Sequence, residues 1–190
     1  MRPFRKNPHI QSPLTAERTA NGAFSYYIDM RVIEYDRRAA LAYAKMWAFR
    51  RNPRFYNFDG LGGDCTNFAS QCIYAGAGIM NYTPTFGWYY KDLNNRAAAW
   101  TGVEYPYNFM TTNEGKGPFA EGTPLNKLEV GDIVQLGTAT GDFYHSPVVV
   151  AVREGRIFVA AHTFDAFMRP LSSYSFARAR GIHILGVRSE

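Results

Sequence analysis

The stretch Gly62-Gly63-Asp64-Cys65-Thr66-Asn67-Phe68-Ala69-Ser70-Gln71-Cys72 decides the fold of this chain. The two glycines have no Cβ and permit a tight turn, and the residues after them predict a helix that opens at Asp64-Cys65. Apolar residues recur with helical spacing and predict one buried face: Phe68, Ala69, Cys72, Ile73 and Ala75. We expect this helix to end near Gly76-Ala77-Gly78.

Cys65 occupies the first turn of the predicted helix. Unpaired backbone N–H groups and the positive end of the helix dipole favour a thiolate there, so the position predicts a nucleophile. The alternative is a small apolar core residue. Cys72 is the second of the two cysteines, and seven helical residues separate their Cα atoms by about 10 Å, too far for a disulfide. Both are therefore predicted to be free thiols.

Composition indicates one compact domain. The 190 residues are 46% hydrophobic and 16% aromatic, enough for a core without disulfides or metals. A net charge of +5 suits work near an anionic polymer, whether nucleic acid, membrane surface or bacterial wall. The basic residues are scattered outside any nucleic-acid motif, so we expect no nucleic-acid partner. We also expect no membrane span and, since no apolar signal core follows Met1, no export as written, unless this is a mature fragment or domain of a wall-associated protein.

The chain divides into an N-terminal arm, residues 1–28, and a single catalytic domain, residues 29–190. Within the domain, Asp36 predicts the cap of an alanine-rich helix that Asn52-Pro53 ends. Residues 79–125 form an aromatic-rich insertion with little periodicity, which predicts a lid or binding loop, or else rings that fill the core. We expect Trp88 or a neighbouring tyrosine near the mouth of a cleft.

The second half of the domain predicts antiparallel strands at 132–136, 145–152, 157–161 and 182–187. Glu154-Gly155 favours a two-residue hairpin turn, which would pair Val149 with Ala160. His145 and His162 then share one sheet face as diagonal neighbours, about 7–8 Å apart. A one-residue bulge in the hairpin would instead put them on opposite faces.

These residues suit thiol catalysis. Cys65 is the predicted nucleophile, His145 the general base and acid, and His162 the group that orients His145. Backbone N–H groups at the helix start would bind the oxyanion. Asp165 is a weaker candidate for the orienting role, and His9 and His183 are predicted to be structural or exposed. A zinc site of Cys65, His145 and His162 is the alternative, although no short paired-ligand spacing is present, and no cofactor is expected.

The sequence resembles the bacterial "putative amidase domain" family from about Tyr35 to Arg169. The resemblance lies in Tyr35, Arg38-Ala39-Ala40, Tyr43-Ala44, Trp47, Asn52-Pro53, Phe58, the run from Gly62 to Cys72, Gly131-Asp132 and His145-Ser146. That family is similar to NlpC-type and CHAP-type cysteine peptidases and amidases, which share a reduced papain-like α+β fold. Their motifs correspond here to Asp64-Cys65, Gly131-Asp132, His145 and His162.

The resemblance implies a thiol-dependent amide hydrolase, with peptidoglycan peptide as the family's usual substrate class. We therefore predict a papain-like domain with helices packed on an antiparallel sheet and a Cys-His-His triad. Asp64 and Trp88 are the predicted substrate-binding residues. Low-pH alkylation of Cys65 in preference to Cys72 is the expected sign of the activated thiol. A non-catalytic wall peptide or glycan-binding module is the alternative, and acyl transfer to an amine is a third.

Overall fold

The computed structural model describes residues 30–190 and two short strands before them. Those two strands pair antiparallel with each other. The rest of the predicted arm, His9 included, lies outside the described residues. The helices are α1 (Arg37–Trp47), α2 (Cys65–Ala77), α3 (Ala98–Thr101) and α4 (Glu104–Thr112). The strands are β1 (Thr15–Arg18), β2 (Phe24–Tyr27), β3 (Arg31–Ile33), β4 (Tyr90–Asp92), β5 (Asn95–Arg96), β6 (Gly117–Thr123), β7 (Ile133–Gly137), β8 (Phe143–His145), β9 (Val148–Arg153), β10 (Arg156–Ala161), β11 (Ala166–Pro170) and β12 (Arg178–Ser189).

The two predicted long helices are confirmed, and their end residues explain their bounds. The Asp36 carboxylate accepts the Ala39 N–H at 2.9 Å and caps α1. α2 ends at Gly78, whose φ of 67° is the left-handed conformation that glycine adopts at low cost. The fully buried Ala40 and Ala44 have small side chains and lie on the buried face of α1, which packs against α2.

An antiparallel sheet confirms the α+β class. Its strand order is β11-β10-β9-β7-β12-β3, with β6 also paired to β12 and β8 to β7. The predicted strand 145–152 is interrupted at Ser146-Pro147, so that His145 ends β8 and Val148 begins β9. The main core cluster includes residues of α1, α2 and this sheet.

The β9–β10 hairpin follows the prediction only in its first three pairs, from Arg153 with Arg156 to Ala151 with Phe158. Glu154 and Gly155 have φ values of 49° and 72°, as a two-residue turn with positive φ at both positions requires. The register then shifts between Phe158 and Val159, so Val149 pairs with Val159. The predicted pairing of Val149 with Ala160 is wrong because this irregularity changes the alternation of faces.

Part of the insertion at 79–125 belongs to the core. It contains α3, α4 and three short strands, of which β6 pairs with β12. Trp88 and Trp100 are fully buried there, with Phe109 and Met110 nearly so. Trp88 and Trp100 therefore follow the core alternative, whereas Tyr82, Phe86 and Tyr105 are exposed, and the lid or binding loop stays a prediction. In the part of the chain that the structure describes, no helix has the length and apolarity that crossing a bilayer requires.

Candidate active site

The Gly62-Gly63 turn holds the start of α2 against the loop after β10. Gly62 and Gly63 have φ values of 92° and 108°. A Cβ on Gly63 would lie 3.1 Å from the Thr163 hydroxyl, which accepts the Asp64 N–H at 2.7 Å. Thr163 itself has a φ of 76°, a strained value for a β-branched residue. The turn therefore fixes Cys65, the first residue of α2, beside the end of β10.

A buried hydrogen bond joins the residue after Cys65 to the residue after His145. The Thr66 hydroxyl donates to Ser146 Oγ at 3.2 Å. The Cys65 sulfur lies 3.8 Å from the Thr66 hydroxyl and also accepts from the Ser146 backbone N–H. These contacts hold the start of α2 against the end of β8. Cys65 and His145, 80 residues apart in the sequence, are thereby brought together.

Cys65 and His145 line one cavity of about 350 Å³. The other lining residues are Gly62, Gly63, Tyr144, Thr163, Phe164, Arg169, Tyr174 and Ser175. Two larger cavities, of about 510 and 410 Å³, are lined by neither Cys65 nor His145. The smaller cavity is therefore the candidate site, because it combines a thiol with an imidazole.

The His145 ring is buried with an unpaired nitrogen. His145 is only 7% exposed, and its Nε2 has no hydrogen-bond partner among the described residues. The nearest aromatic ring is that of Tyr174, at 5.6 Å between centroids. The Tyr174 hydroxyl is likewise buried and unpaired among the described residues. Two unpaired polar atoms thus lie on neighbouring rings, both of which line the cavity.

Burial determines the protonation of the thiol and the imidazole. It raises the pKa of Cys65, against the hydrogen bonds from Ser146 and Thr66. It lowers the pKa of His145 to about 4, and the positive charge of Arg169 acts in the same direction. At pH 7 the pair is therefore a thiol and a neutral imidazole. The raised pKa of Cys65 disfavours the predicted thiolate in this state, because burial acts against the helix-start effect.

The predicted contact between His162 and His145 is wrong. His162 Nδ1 lies 2.6 Å from Asp64 Oδ2, and Nε2 lies 2.9 Å from the Trp47 carbonyl oxygen. The ring also stacks on Phe68 of α2, with 3.9 Å between centroids. Both contacts are hydrogen bonds only if Nε2 carries a hydrogen and a proton lies between Nδ1 and the carboxyl. His162 therefore has no nitrogen left for His145, and it is not among the residues that line the cavity.

Asp64 faces the protein interior, which corrects its predicted place in substrate binding. It is fully buried, and its Oδ1 accepts from the Phe58 N–H at 2.9 Å and from Asn67 Nδ2 at 2.8 Å. Its other oxygen meets His162. Arg51 Nε approaches the same oxygen at 3.5 Å. Asp64 thus joins the glycine turn, α2 and the end of β10.

The structure also corrects the expectations for Trp88 and Asp165. Trp88 is fully buried, and its indole N–H donates to Ser70 at 3.1 Å, so its ring presents no surface to a substrate. Asp165 pairs with Arg51 at 2.8 Å and makes no hydrogen bond to His145 in the part of the chain that the structure describes.

The remaining expectations concern His183 and a metal. His183 is bonded to the buried Asp132 at 2.7 Å. The zinc alternative fails in its geometry, since both His162 nitrogens are occupied by other partners. Within residues 30–190, no cluster of three or more metal-ligating side chains is found.

Sequence reasoning assigned no role to Ser146, which bonds Thr66, or to Arg169 and Tyr174, which line the cavity. Ser146 follows His145 directly, and its position within the family motif was the available signal. Arg169 and Tyr174 lie more than 100 residues after Cys65. Only the pairing of β11 with β10 brings their segment to the cavity, and no short motif marks them.

Comparison with known proteins finds a family model and a relative that match the chain. The family model described as "Putative amidase domain" matches residues 34–185, which include Cys65, His145 and His162. The "Uncharacterized protein YhbB" of Bacillus subtilis (strain 168) is 31% identical to the chain over 143 residues. That alignment covers 73% of this chain and 45% of the relative, so the chain spans less than half of the relative's length. No solved structure matches the chain.

Proposed function

Since the chain belongs to the "Putative amidase domain" family, we propose that it is a cysteine amidase in which Cys65 attacks an amide carbonyl. His145 is the general base and acid. One observation carries the proposal: a thiol at a helix start and an imidazole with an unpaired nitrogen line the same cavity. The amidase family supports amide hydrolysis, and the two side chains supply the chemistry for it.

The reaction begins from the Cys65 thiol and the neutral His145 imidazole. As the Cys65 sulfur bonds to the carbonyl carbon, the His145 imidazole takes the thiol proton, and the carbonyl oxygen becomes an oxyanion. Backbone N–H groups at the start of α2 are suited to bind that oxyanion. The imidazolium then gives its proton to the amide nitrogen, the carbon–nitrogen bond breaks, and the amine leaves a thioester on Cys65.

Hydrolysis of the thioester repeats these roles with water. His145 takes a proton from a water molecule as its oxygen bonds to the thioester carbon. The carbon–sulfur bond then breaks, the sulfur recovers the proton, and a carboxylic acid leaves. A preformed thiolate is not needed, because proton transfer accompanies attack.

Tyr174 takes the orienting role once expected of His162. A hydrogen bond from the His145 Nε2–H to the Tyr174 oxygen would satisfy both unpaired groups and leave Nδ1 as the base. The two rings are tilted neighbours, with 5.6 Å between their centroids. Tyr174 is thus a positioning residue, and His162 supports the site indirectly through Asp64.

The substrate class follows from the family resemblance rather than from the cavity. NlpC-type and CHAP-type enzymes, which have reduced papain-like folds, act on wall peptides, and the helix-start cysteine and strand-borne histidine here have the same order. Peptidoglycan peptide is therefore the first substrate to test. A wall-binding module without catalysis is the second candidate, favoured only by the protonated resting state of the thiol.

The test is digestion of purified peptidoglycan, with products identified by mass spectrometry. We expect new amine and carboxyl ends with the parent protein and none with Cys65→Ala. Cys72→Ala is the matched control, because Cys72 lies fully buried on the same helix and away from the cavity. Retention of wall polymer by Cys65→Ala without any turnover by the parent would favour the binding module.

A further inference from the structure

Arg169 gives the candidate active site a positive charge without an acidic counterpart. It lines the cavity beside Cys65 and His145, and no Asp or Glu is among the lining residues. Its positive charge acts on the His145 imidazole and helps to lower the pKa of that ring. A small cavity with one guanidinium and no carboxylate is electrostatically suited to an anion.

Three other partly buried arginines of this protein, Arg37, Arg51 and Arg180, are neutralised by carboxylates. These pairs are Arg37 with Asp132 at 2.7 Å, Arg51 with Asp59 at 2.6 Å and with Asp165 at 2.8 Å, and Arg180 with Glu104 at 2.8 Å. Arg169 forms no ion pair with the described residues. Arg169, like the partly buried Arg96 and Arg188, has no acidic partner within residues 30–190, and of these three it alone lines the cavity with Cys65.

The Arg169 side chain is held in place by neutral groups. Its Nε donates to Ser173 Oγ at 2.9 Å, and Nη2 donates to the Ser173 carbonyl at 3.3 Å. One face of the guanidinium lies over the Tyr174 ring, 3.9 Å from its centroid. Nη1 makes no hydrogen bond to a described residue. The group is therefore oriented before any ligand arrives, and it retains donor capacity.

We propose that Arg169 binds a carboxylate of the substrate, so that the enzyme cleaves amide bonds close to a free carboxylate. This inference rests on the proposed function of Cys65 and His145. Guanidinium–carboxylate hydrogen bonds are among the strongest in proteins and favour a planar oxyanion. A cavity of about 350 Å³ is at the small end for ligand sites, so the carboxylate lies near the amide that reacts.

A bound carboxylate also assists the chemistry. It neutralises the Arg169 charge that disfavours an imidazolium at His145, and so it eases transfer of the Cys65 proton to that ring. Substrates without the carboxylate then lose both binding and rate. Arg169 contributes to specificity in this way without touching the bond that breaks.

Alkylation of Cys65 by iodoacetate and by iodoacetamide tests the proposal without a known substrate. In both reactions the sulfur bonds to the methylene carbon and iodide leaves, but only iodoacetate carries a carboxylate. The rate ratio at Cys65, read by peptide mass spectrometry, is divided by the same ratio for glutathione. We expect a normalised ratio of about 10 or more in the parent and near 1 in Arg169→Gln.

Two further variants make the comparison decisive. Arg169→Lys keeps the charge and is expected to keep part of the preference. Arg156→Gln removes an exposed arginine whose described ion pair is with Glu154, and it is expected to behave like the parent. A normalised ratio near 1 in the parent, or an equal fall in both glutamine variants, overturns the inference. Failure of both reagents to modify Cys65 in the folded protein overturns the proposed function as well.

Paired peptides identify the source of the carboxylate. One pair differs by a C-terminal acid or amide, and another by a Glu or Gln side chain next to the scissile bond. Faster cleavage of the acid in either pair, abolished by Arg169→Gln, supports the proposal and assigns the group. Cleavage of all four peptides at equal rates overturns the carboxylate preference and leaves the amidase proposal intact.

Discussion

His145 and His162 are both buried histidines at the end of a strand, yet their surroundings are opposite. His162 is 1% exposed, with Asp64 on one nitrogen and the Trp47 carbonyl on the other. His145 is 7% exposed, and its Nε2 has no partner among the described residues. A buried polar group without a partner lowers stability, and such groups concentrate at functional sites. The comparison assigns structure to His162 and chemistry to His145.

Replacement of His145 and replacement of His162 should differ most in their effect on activity. We expect His145→Gln to lower kcat/KM for peptidoglycan digestion by about a thousandfold, because the general base and acid is lost. His162→Gln should stay within about tenfold of the parent when rates are corrected for the folded fraction. Product formation by mass spectrometry, with circular dichroism for folding, measures both. Equal losses in two well-folded variants would contradict the assignment.

Replacement of His162 should lower the stability of the protein strongly. His162→Ala removes the 2.6 Å partner of the buried Asp64 Oδ2 and leaves that oxygen only Arg51 Nε at 3.5 Å, so we expect the free energy of unfolding to fall by about 3–5 kcal/mol. His183→Ala is the matched control, because the Asp132 Oδ2 that His183 contacts keeps the hydrogen bond from the Glu129 N–H at 2.8 Å. Its loss should be smaller. Urea unfolding gives both values, and equal losses would show that Asp64 does not depend on His162.

Acid should destabilise the protein through His145. Its pKa is about 4 in the folded state, lowered by burial and then by Arg169, against about 6.5 when unfolded. Between these values the unfolded chain binds a proton that the folded chain does not. Stability is therefore lost as pH falls from 6.5 to 4, by at most about 3 kcal/mol.

His145→Gln removes this dependence, so its unfolding free energy should fall less than that of the parent between pH 6.5 and 4. The groups that line the cavity with His145 are Cys65, Arg169, Tyr144 and Tyr174. None of these is an acid that titrates in this range with an ordinary pKa. Urea midpoints at half-unit pH intervals measure the slope. Identical slopes in the parent and the variant would mean that other groups cause the acid sensitivity.

Local sequence signals predicted the elements around Cys65 well. The glycine turn, the Asp36 cap and the Glu154-Gly155 hairpin depend on a few neighbouring residues, and each has the predicted conformation. Phe68, Ala69, Cys72 and Ile73 are buried as their helical spacing predicts, but polar residues between them are buried too, so the prediction of a single buried face of α2 is wrong. The helix and hairpin could thus be predicted without the fold.

The shared face of the histidines could not be predicted, because it depends on register. The shift between Phe158 and Val159 carries no glycine or other sequence mark, and it separates His162 from the surroundings of His145. Trp88 was misplaced for a related reason. An aromatic ring in an irregular segment suits a cleft or a core equally, and only tertiary packing against Trp100 and Ser70 decides between them.

The smallest expected effect concerns the ring beside His145. Tyr174→Phe removes a buried hydroxyl that has no partner among the described residues, so stability should be unchanged or slightly higher. If that hydroxyl sets the tautomer of His145, kcat/KM should still fall by about tenfold, with the acid limb of its pH profile displaced. His162 has no equivalent neighbour, since its tautomer is set by Asp64 and Trp47. A Tyr174→Phe enzyme with parental rates and pH profile would leave His145 unoriented by any described side chain, and the catalytic pair would then act without a third member.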